Sequence, residues 1–331
     1  MFKRINRKGY PKPIYIGSAI VGTIGLACLS KELVGGETYK GKKEQNGKIV
    51  IVTGANTGIG KEVTAELARR GAKVYMACRD MNRCEATRKD IVLDTGNKYV
   101  YCRPCDLASL KSISNFATIF KKEEKHLDVL INNAGVMRTP PGSKTADGFE
   151  SQIGVNHLGH FLLTNLLLDV LKDSAPSRII NVSSVAHQRG RIKKDDFNSD
   201  KSYDPAEAYA QSKLANILFT RELANRLQGT GVTVNAVHPG IVDTDITRHM
   251  SFYKSRISSI LIKPFLWPFI KDSRQGAQTV LYLALDPEVE KVSGKYFCDY
   301  KEEEISKEAQ DEEMAKWLWK VSEKWTKLTT M

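Results

Sequence analysis

The chain has 331 residues, 41% of them hydrophobic, and 50 Lys and Arg against 38 Asp and Glu give a formal net charge of +12. That length suits one α/β domain of roughly 250 residues with extensions. Residues 1–48 hold ten Lys/Arg against three Glu, so most of the excess precedes the first strand, and the near-balanced remainder excludes a nucleic-acid groove across the fold.

Ile14 to Ser30 is an uncharged run of 17 residues preceded by Lys3, Arg4, Arg7, Lys8 and Lys12. As a helix it spans about 26 Å, slightly less than a hydrocarbon layer of ~30 Å. An uncleaved membrane anchor is the favoured reading. An interfacial or organelle-targeting segment and a cleaved secretory signal are the alternatives. Lys40, Lys42, Lys43 and Lys48 make the downstream flank basic as well, so charge does not orient the run.

Short apolar, β-branched runs then alternate with helical patterns. Strands are predicted near 48–53, 73–78, 98–103, 127–131, 178–183, 232–237 and 295–298, with helices between. The pattern predicts a Rossmann-type doubly wound parallel sheet of about seven strands with helices on both faces.

Behind the first strand stands Thr53-Gly54-Ala55-Asn56-Thr57-Gly58-Ile59-Gly60, and Val63, Leu67 and Ala68 recur at helical spacing until Gly71. The glycines therefore sit on a strand-to-helix turn, where a bare backbone and free helix N–H groups can meet a pyrophosphate. The second strand ends Cys78-Arg79 without an acid to accept the ribose 2′-OH of NAD. A cation there suits the 2′-phosphate of NADP(H), although Arg79 also reads as a surface partner of Asp80.

Tyr209-x-x-x-Lys213 lies on an amphipathic pattern of Ala210, Leu214, Ala215, Ile217, Leu218 and Leu223, which places both side chains on one helix face. An ammonium one turn away, with the positive nicotinamide ring, would lower the phenol's pKa toward an acid–base role. Tyr39-x-x-x-Lys43 matches the same pattern in a basic stretch without that context. His157 and His160 share a helix face but have no third ligand at a telling spacing, so no metal site is expected. The six cysteines do not form a disulfide framework by spacing, and Cys102-Arg103-Pro104-Cys105 lies along a strand rather than at a helix start.

Thr53-Gly-x-x-x-Gly-x-Gly60, with Asn132-Asn133-Ala134-Gly135, Asn156, Ser184 and Tyr209-x-x-x-Lys213, resembles the short-chain dehydrogenase/reductase family from about Lys48 to Phe297. The resemblance implies that Tyr209 is the acid–base residue, that Lys213 supports it, that Ser184 bonds the substrate oxygen and that Asn156 holds a water beside Lys213. It also implies that Asp106 and Leu107 face the adenine and that Asn133, Ala134 and Gly135 border the cofactor. His238-Pro239-Gly240-Ile241-Val242-Asp243-Thr244 resembles the family's Pro-Gly turn, with Thr244 at the nicotinamide carboxamide.

Asn156-His157-Leu158-Gly159-His160-Phe161 and Tyr209-x-Gln211-Ser212-Lys213-Leu214-Ala215-Asn216 look like the microsomal and mitochondrial retinol dehydrogenase branch, which reduces retinal with NADPH. The run ending Lys31-Glu32-Leu33-Val34-Gly35-Gly36 resembles a mitochondrial inner-membrane member. The implied substrate is all-trans-retinal or another retinoid-like apolar carbonyl or alcohol. The implied location is the mitochondrial inner membrane or the endoplasmic reticulum, and a homodimer is compatible. A carbonyl reductase for sterol or lipid aldehydes and a quiet NADP-binding membrane scaffold are the alternatives.

Two segments bear on the substrate. Arg189 to Asp204 is a charged surplus expected to form a surface excursion beside the site. Residues 257–270 are apolar and broken by Pro264 and Pro268, so they read as a substrate lid, as a contact with the bilayer or as core packing. The expected division is a basic, anchor-bearing N-terminus (1–47), a catalytic domain (48–300) including an apolar lid region (241–272), and a C-terminal amphipathic helix (301–331). In that helix Met314, Trp317, Leu318, Val321, Trp325 and Leu328 form the packing stripe.

Overall fold

The computed structural model describes residues 36–41, 44–244 and 270–328. The anchor run 14–30 lies outside the described residues, as do positions 245–269, which hold nearly all of the expected lid. Among the described residues no helix is long and apolar enough to cross a membrane.

Seven strands run parallel: β1 (Ile49–Thr53), β2 (Lys73–Cys78), β3 (Val100–Pro104), β4 (Val129–Asn132), β5 (Ser177–Val182), β6 (Val232–His238) and β7 (Tyr296–Cys298). An eighth, β8 (Lys301–Glu302), pairs antiparallel with β7 and brings the order to β3-β2-β1-β4-β5-β6-β7-β8. Two residues are too few to show a period of two, so β8 has no sequence signature.

Alternate side chains of the central strands feed two cores. On one face Val50, Val52, Val74 and Met76 pack against α1 (Gly58–Arg69), α2 (Met81–Thr95) and α8 (Ser273–Leu285). On the other, Ile49, Ile51, Tyr75 and Leu130 meet α3 (Leu110–Glu123), α5 (His160–Leu166) and α7 (Pro205–Arg226). Each fully buried aliphatic side chain contributes about 1.5–3 kcal/mol relative to exposure.

Between β4 and α5 the chain forms a short helix, α4 (Ser151–Ile153), and then a π-helical turn, Gly154–Gly159. A short helix, α6 (Leu168–Asp173), leads into β5. At the C-terminus α9 (Glu312–Thr326) lays Leu318 and Trp319 into the core, and Trp319 meets Phe161 and Phe219 edge-on or tilted.

Two expectations change. The surplus Arg189–Asp204 does not simply loop outward: Phe197 is 4% exposed and packs against Trp317 and Trp325 of α9, so an aromatic pin holds the excursion down. Cys84 of α2 and Cys102 of β3 form a disulfide, a pairing not expected from cysteine spacing that shows no disulfide framework. The helix folds back over its own neighbouring strand and brings the two α-carbons to 6.0 Å, a proximity invisible in an 18-residue spacing.

Candidate active site

The carboxyl ends of the strands open onto a cleft of about 370 Å³ where the strand order reverses between β1 and β4. Open α/β sheets take their ligands at that place. Gly54, Asn56, Thr57, Gly58 and Ile59 carry the chain from β1 into α1 and line the cleft. No side-chain cap closes the first turn of α1, so its N–H groups suit an anion. Gly60 stands behind this wall. A β-carbon there would lie 2.4 Å from the Gly54 carbonyl oxygen and 2.6 Å from Asn133 Nδ2, so only glycine lets α1 pack this close.

Thr53 ties the two central strand ends together. Its hydroxyl accepts the N–H groups of Asn133 (2.9 Å) and Ala134 (3.0 Å) and lies 2.9 Å from His160 Nε2. Asn133 returns the bond through Nδ2 to the Thr53 carbonyl at 2.9 Å. The His160 Nδ1 side meets the Asn156 carbonyl at 3.0 Å, so it carries the proton and Nε2 accepts from Thr53. Burial holds His160 neutral, with its pKa pushed down to about 4. His157 is held in the same way, its Nε2 2.7 Å from Ser322 Oγ of α9. Both imidazoles are thus structural parts of the core.

Helix α7 carries Tyr209 and Lys213. Pro205 fills its first turn, and the Asp204 carboxylate accepts the N–H groups of Ala206 and Glu207, both at 2.8 Å. That start places Tyr209 in the second turn, with Tyr209 and Lys213 facing the cleft. The Lys213 ammonium lies 5.7 Å from the centre of the Tyr209 ring and donates to the Val182 carbonyl at 3.0 Å. Ser184, just past β5, lines the cleft beside Tyr209 and resists the rise of its pKa. It also caps the 3₁₀ turn Val185–Arg189 by accepting the Ala186 N–H.

Asn156 sits inside the π-helical turn, a local irregularity often found at functional sites. Its side chain accepts the Val136 N–H (2.8 Å) and donates to the Val136 carbonyl (2.9 Å) and to Ser212 Oγ (2.9 Å). The residue is fully buried and stands behind the cleft wall, bracing the loop after β4 against α7.

Electrostatics here oppose the expected lowering of the phenol's pKa. Burial pushes Tyr209 up to about 12, resisted by the Ser184 hydrogen bond and the Arg189 charge. Burial also pushes Lys213 down to about 8. In the protein alone the neighbouring ammonium therefore does not make the phenol acidic, because taking either charge out of water outweighs their attraction.

A family model described as short chain dehydrogenase matches residues 48–252. The chain is a short-chain dehydrogenase/reductase. This short-chain dehydrogenase/reductase is 54% identical to human retinol dehydrogenase 13 over 303 residues, 91% of each chain. It is 55% identical to human retinol dehydrogenase 12 over 276 residues, 83% of this chain and 85% of the relative. It belongs to the retinol dehydrogenase branch and is an oxidoreductase of a family that uses NAD(P)(H). An uncharacterized protein from Mycobacterium Paratuberculosis superposes with a TM-score of 0.70 at 37% identity, covering 88% of this chain and 98% of that one. The Pseudomonas aeruginosa RhlG/NADP complex does so with a TM-score of 0.63 at 26% identity, covering 77% and 96%.

Of the residues singled out by sequence, this dehydrogenase/reductase fold brings Gly54, Asn56, Thr57, Gly58, Ile59, Arg79, Asp106, Leu107, Asn133, Ala134, Gly135, Ser184, Tyr209, Lys213, Pro239, Gly240 and Thr244 into one cleft. Gly60 and Asn156 stand behind it. Sequence reasoning did not single out Arg83, Val136, Val155 and Val182, which also line it. Arg83 lies one helical turn beyond Arg79, a spacing that could have drawn attention to a second cation. The valines carry no signal distinct from core strands.

Proposed function

We propose that this oxidoreductase reduces an apolar aldehyde, all-trans-retinal foremost, with NADPH, and that the reverse reaction oxidises the alcohol. What supports the chemistry most is the meeting of Tyr209, Ser184 and Lys213 at one edge of a cleft whose other end is the glycine turn of α1. The cleft fits the cofactor. Its glycine turn suits a pyrophosphate, Arg79 is exposed where a 2′-phosphate would lie, and Lys213 keeps two N–H donors for ribose hydroxyls beyond its bond to Val182.

When bound, NADPH would supply the hydride for the carbonyl carbon. Tyr209 gives the carbonyl oxygen its proton, and Ser184 donates a hydrogen bond to the same oxygen as charge develops on it. Lys213 holds the cofactor's ribose side and passes a proton toward Tyr209, while Asn156 fixes the loop opposite. A phenol with a raised pKa stays protonated at neutral pH, the state reduction requires. Tyr209 belongs to a small apolar cluster with Ala186 and Ala210, flanked by Met137, a setting suited to a polyene aldehyde.

Purified protein with NADPH should consume retinal faster than medium-chain aldehydes or ketosteroids. A faster ketosteroid would assign the site to sterols. Tight NADPH binding with none of them consumed would favour the scaffold.

The Lys213 shift has a pH consequence. Burial lowers the ammonium's pKa to about 8, and it is the protonated form that donates to ribose, so NADPH affinity should be constant below about pH 8 and weaken above it. Fluorescence titration across that range checks this, and Lys213→Met should bind more weakly with no alkaline limb.

We further propose that residues 14–30 attach the enzyme to a membrane, of the mitochondrial inner membrane or the endoplasmic reticulum. Carbonate washing should leave the full chain in the pellet and release a form lacking residues 1–30. Release of both would refute attachment.

A further inference from the structure

The turn after β6 is built from two stretches of chain far apart in sequence. Val242 pairs with Lys271 in a parallel bridge. The Lys271 N–H donates to the Ile241 carbonyl at 2.7 Å, and the Asp243 N–H donates to the Lys271 carbonyl at 3.0 Å. Backbone bonds alone thus hold residues 241–243 against residue 271.

The Lys271 side chain adds a second hold. Gly240 has φ +89°, and a β-carbon there would lie 2.8 Å from Lys271 Cδ and 3.1 Å from Cε. The lysine stem therefore lies directly across the Gly240 α-carbon, and a side chain at 240 would displace it. The stem ends in an ammonium whose side chain is 7% exposed, ion-paired with Asp299. Asp299 and Tyr300 have φ 46° and 68° and form the tight turn between β7 and β8. The Tyr300 hydroxyl donates to the Glu37 carbonyl at 2.5 Å, so the stretch leading in from the N-terminus seats on the same turn. Burying an ammonium is costly, and a surface loop needs no such device to stay folded.

We infer that Lys271 is a positioning residue: pinned by Asp299, its stem holds the Pro239–Thr244 turn at the depth that sets the nicotinamide end of the cofactor. The inference rests on the cofactor reading above. Lys271 itself is absent from the cleft wall, whereas Pro239, Gly240, Val242 and Thr244 line it, so the effect must pass through the turn. A shift of about 1 Å in such a support can cost a large factor in productive binding.

Lys271→Met tests this cleanly. It keeps an unbranched stem over Gly240 and removes the charge, and Asp299, with its side chain 57% exposed, remains solvated rather than stranded. Binding of NADPH and of 2′-phospho-ADP-ribose, the same molecule without the nicotinamide, is measured on full-length protein by calorimetry. The expected result is a loss of about tenfold for NADPH with less than about a twofold change for the fragment. Asp299→Asn should give a similar selective loss, and the double variant should be no worse than the more impaired single. Equal weakening of both ligands would mean that Lys271 only stabilises the fold, and no weakening would mean that the turn needs no pin; either overturns the inference. Wild-type protein that binds neither ligand would instead sink the cofactor reading, and this inference with it.

Discussion

Replacing Tyr209 with phenylalanine is expected to lower kcat by about 10²- to 10⁴-fold, the range general acid catalysis supplies, with NADPH affinity nearly unchanged. Tyr209 is 9% exposed and belongs to a small apolar cluster with Ala186 and Ala210, flanked by Met137, which phenylalanine can keep, so the fold should survive. The variant loses only the phenolic hydroxyl of a residue that lines the cleft beside Ser184. Steady-state kinetics with retinal and a separate NADPH titration measure the two effects. Near wild-type turnover would remove Tyr209 from the mechanism. Equal loss of turnover and binding would make it a cofactor contact instead.

Arg79→Asp is expected to weaken NADPH binding by about 10- to 100-fold, as the loss of charge-assisted hydrogen bonds to a phosphate would. NADH should be held as well as before or better, since an acid at the end of β2 can accept the ribose 2′-OH. Arg79 is exposed and lines the cleft just after β2, so the change leaves the core untouched. Arg83 lines the same end of the cleft and retains some attraction for a 2′-phosphate. The ratio of the two dissociation constants is the quantity to follow. An unchanged ratio would show that the nucleotide preference is set elsewhere.

The parallel strands were readable because each is a short β-branched run between turn signals, and the glycine turn because it follows β1 at once. Tyr209 and Lys213 were readable because an i, i+4 pair needs only a helix to share a face. Other features depend on contacts between distant segments. Asn156 stands out only through the family resemblance; the π-helical turn that seats its amide on Val136 and Ser212 is encoded by no local pattern. The Cys84–Cys102 bond needs α2 folded over β3. The raised pKa of Tyr209 in the protein alone is hidden from the sequence for a related reason. Spacing reveals the neighbouring ammonium but not the burial of both groups, and burial dominates. Lys271 carries no sequence signal of its own, because Gly240 and Asp299 meet it only in the fold.

In the proposed mechanism Tyr209 and its neighbours present a carbonyl carbon to a nicotinamide hydride. A single turnover of the full-length protein with NADPH dideuterated at C4 and all-trans-retinal, analysed by mass spectrometry, is the decisive experiment. Retinol carrying deuterium at its carbinol carbon, in step with cofactor oxidation, is the predicted result. Retinol without the label, or labelled cofactor left unoxidised beside bound retinal, would contradict it.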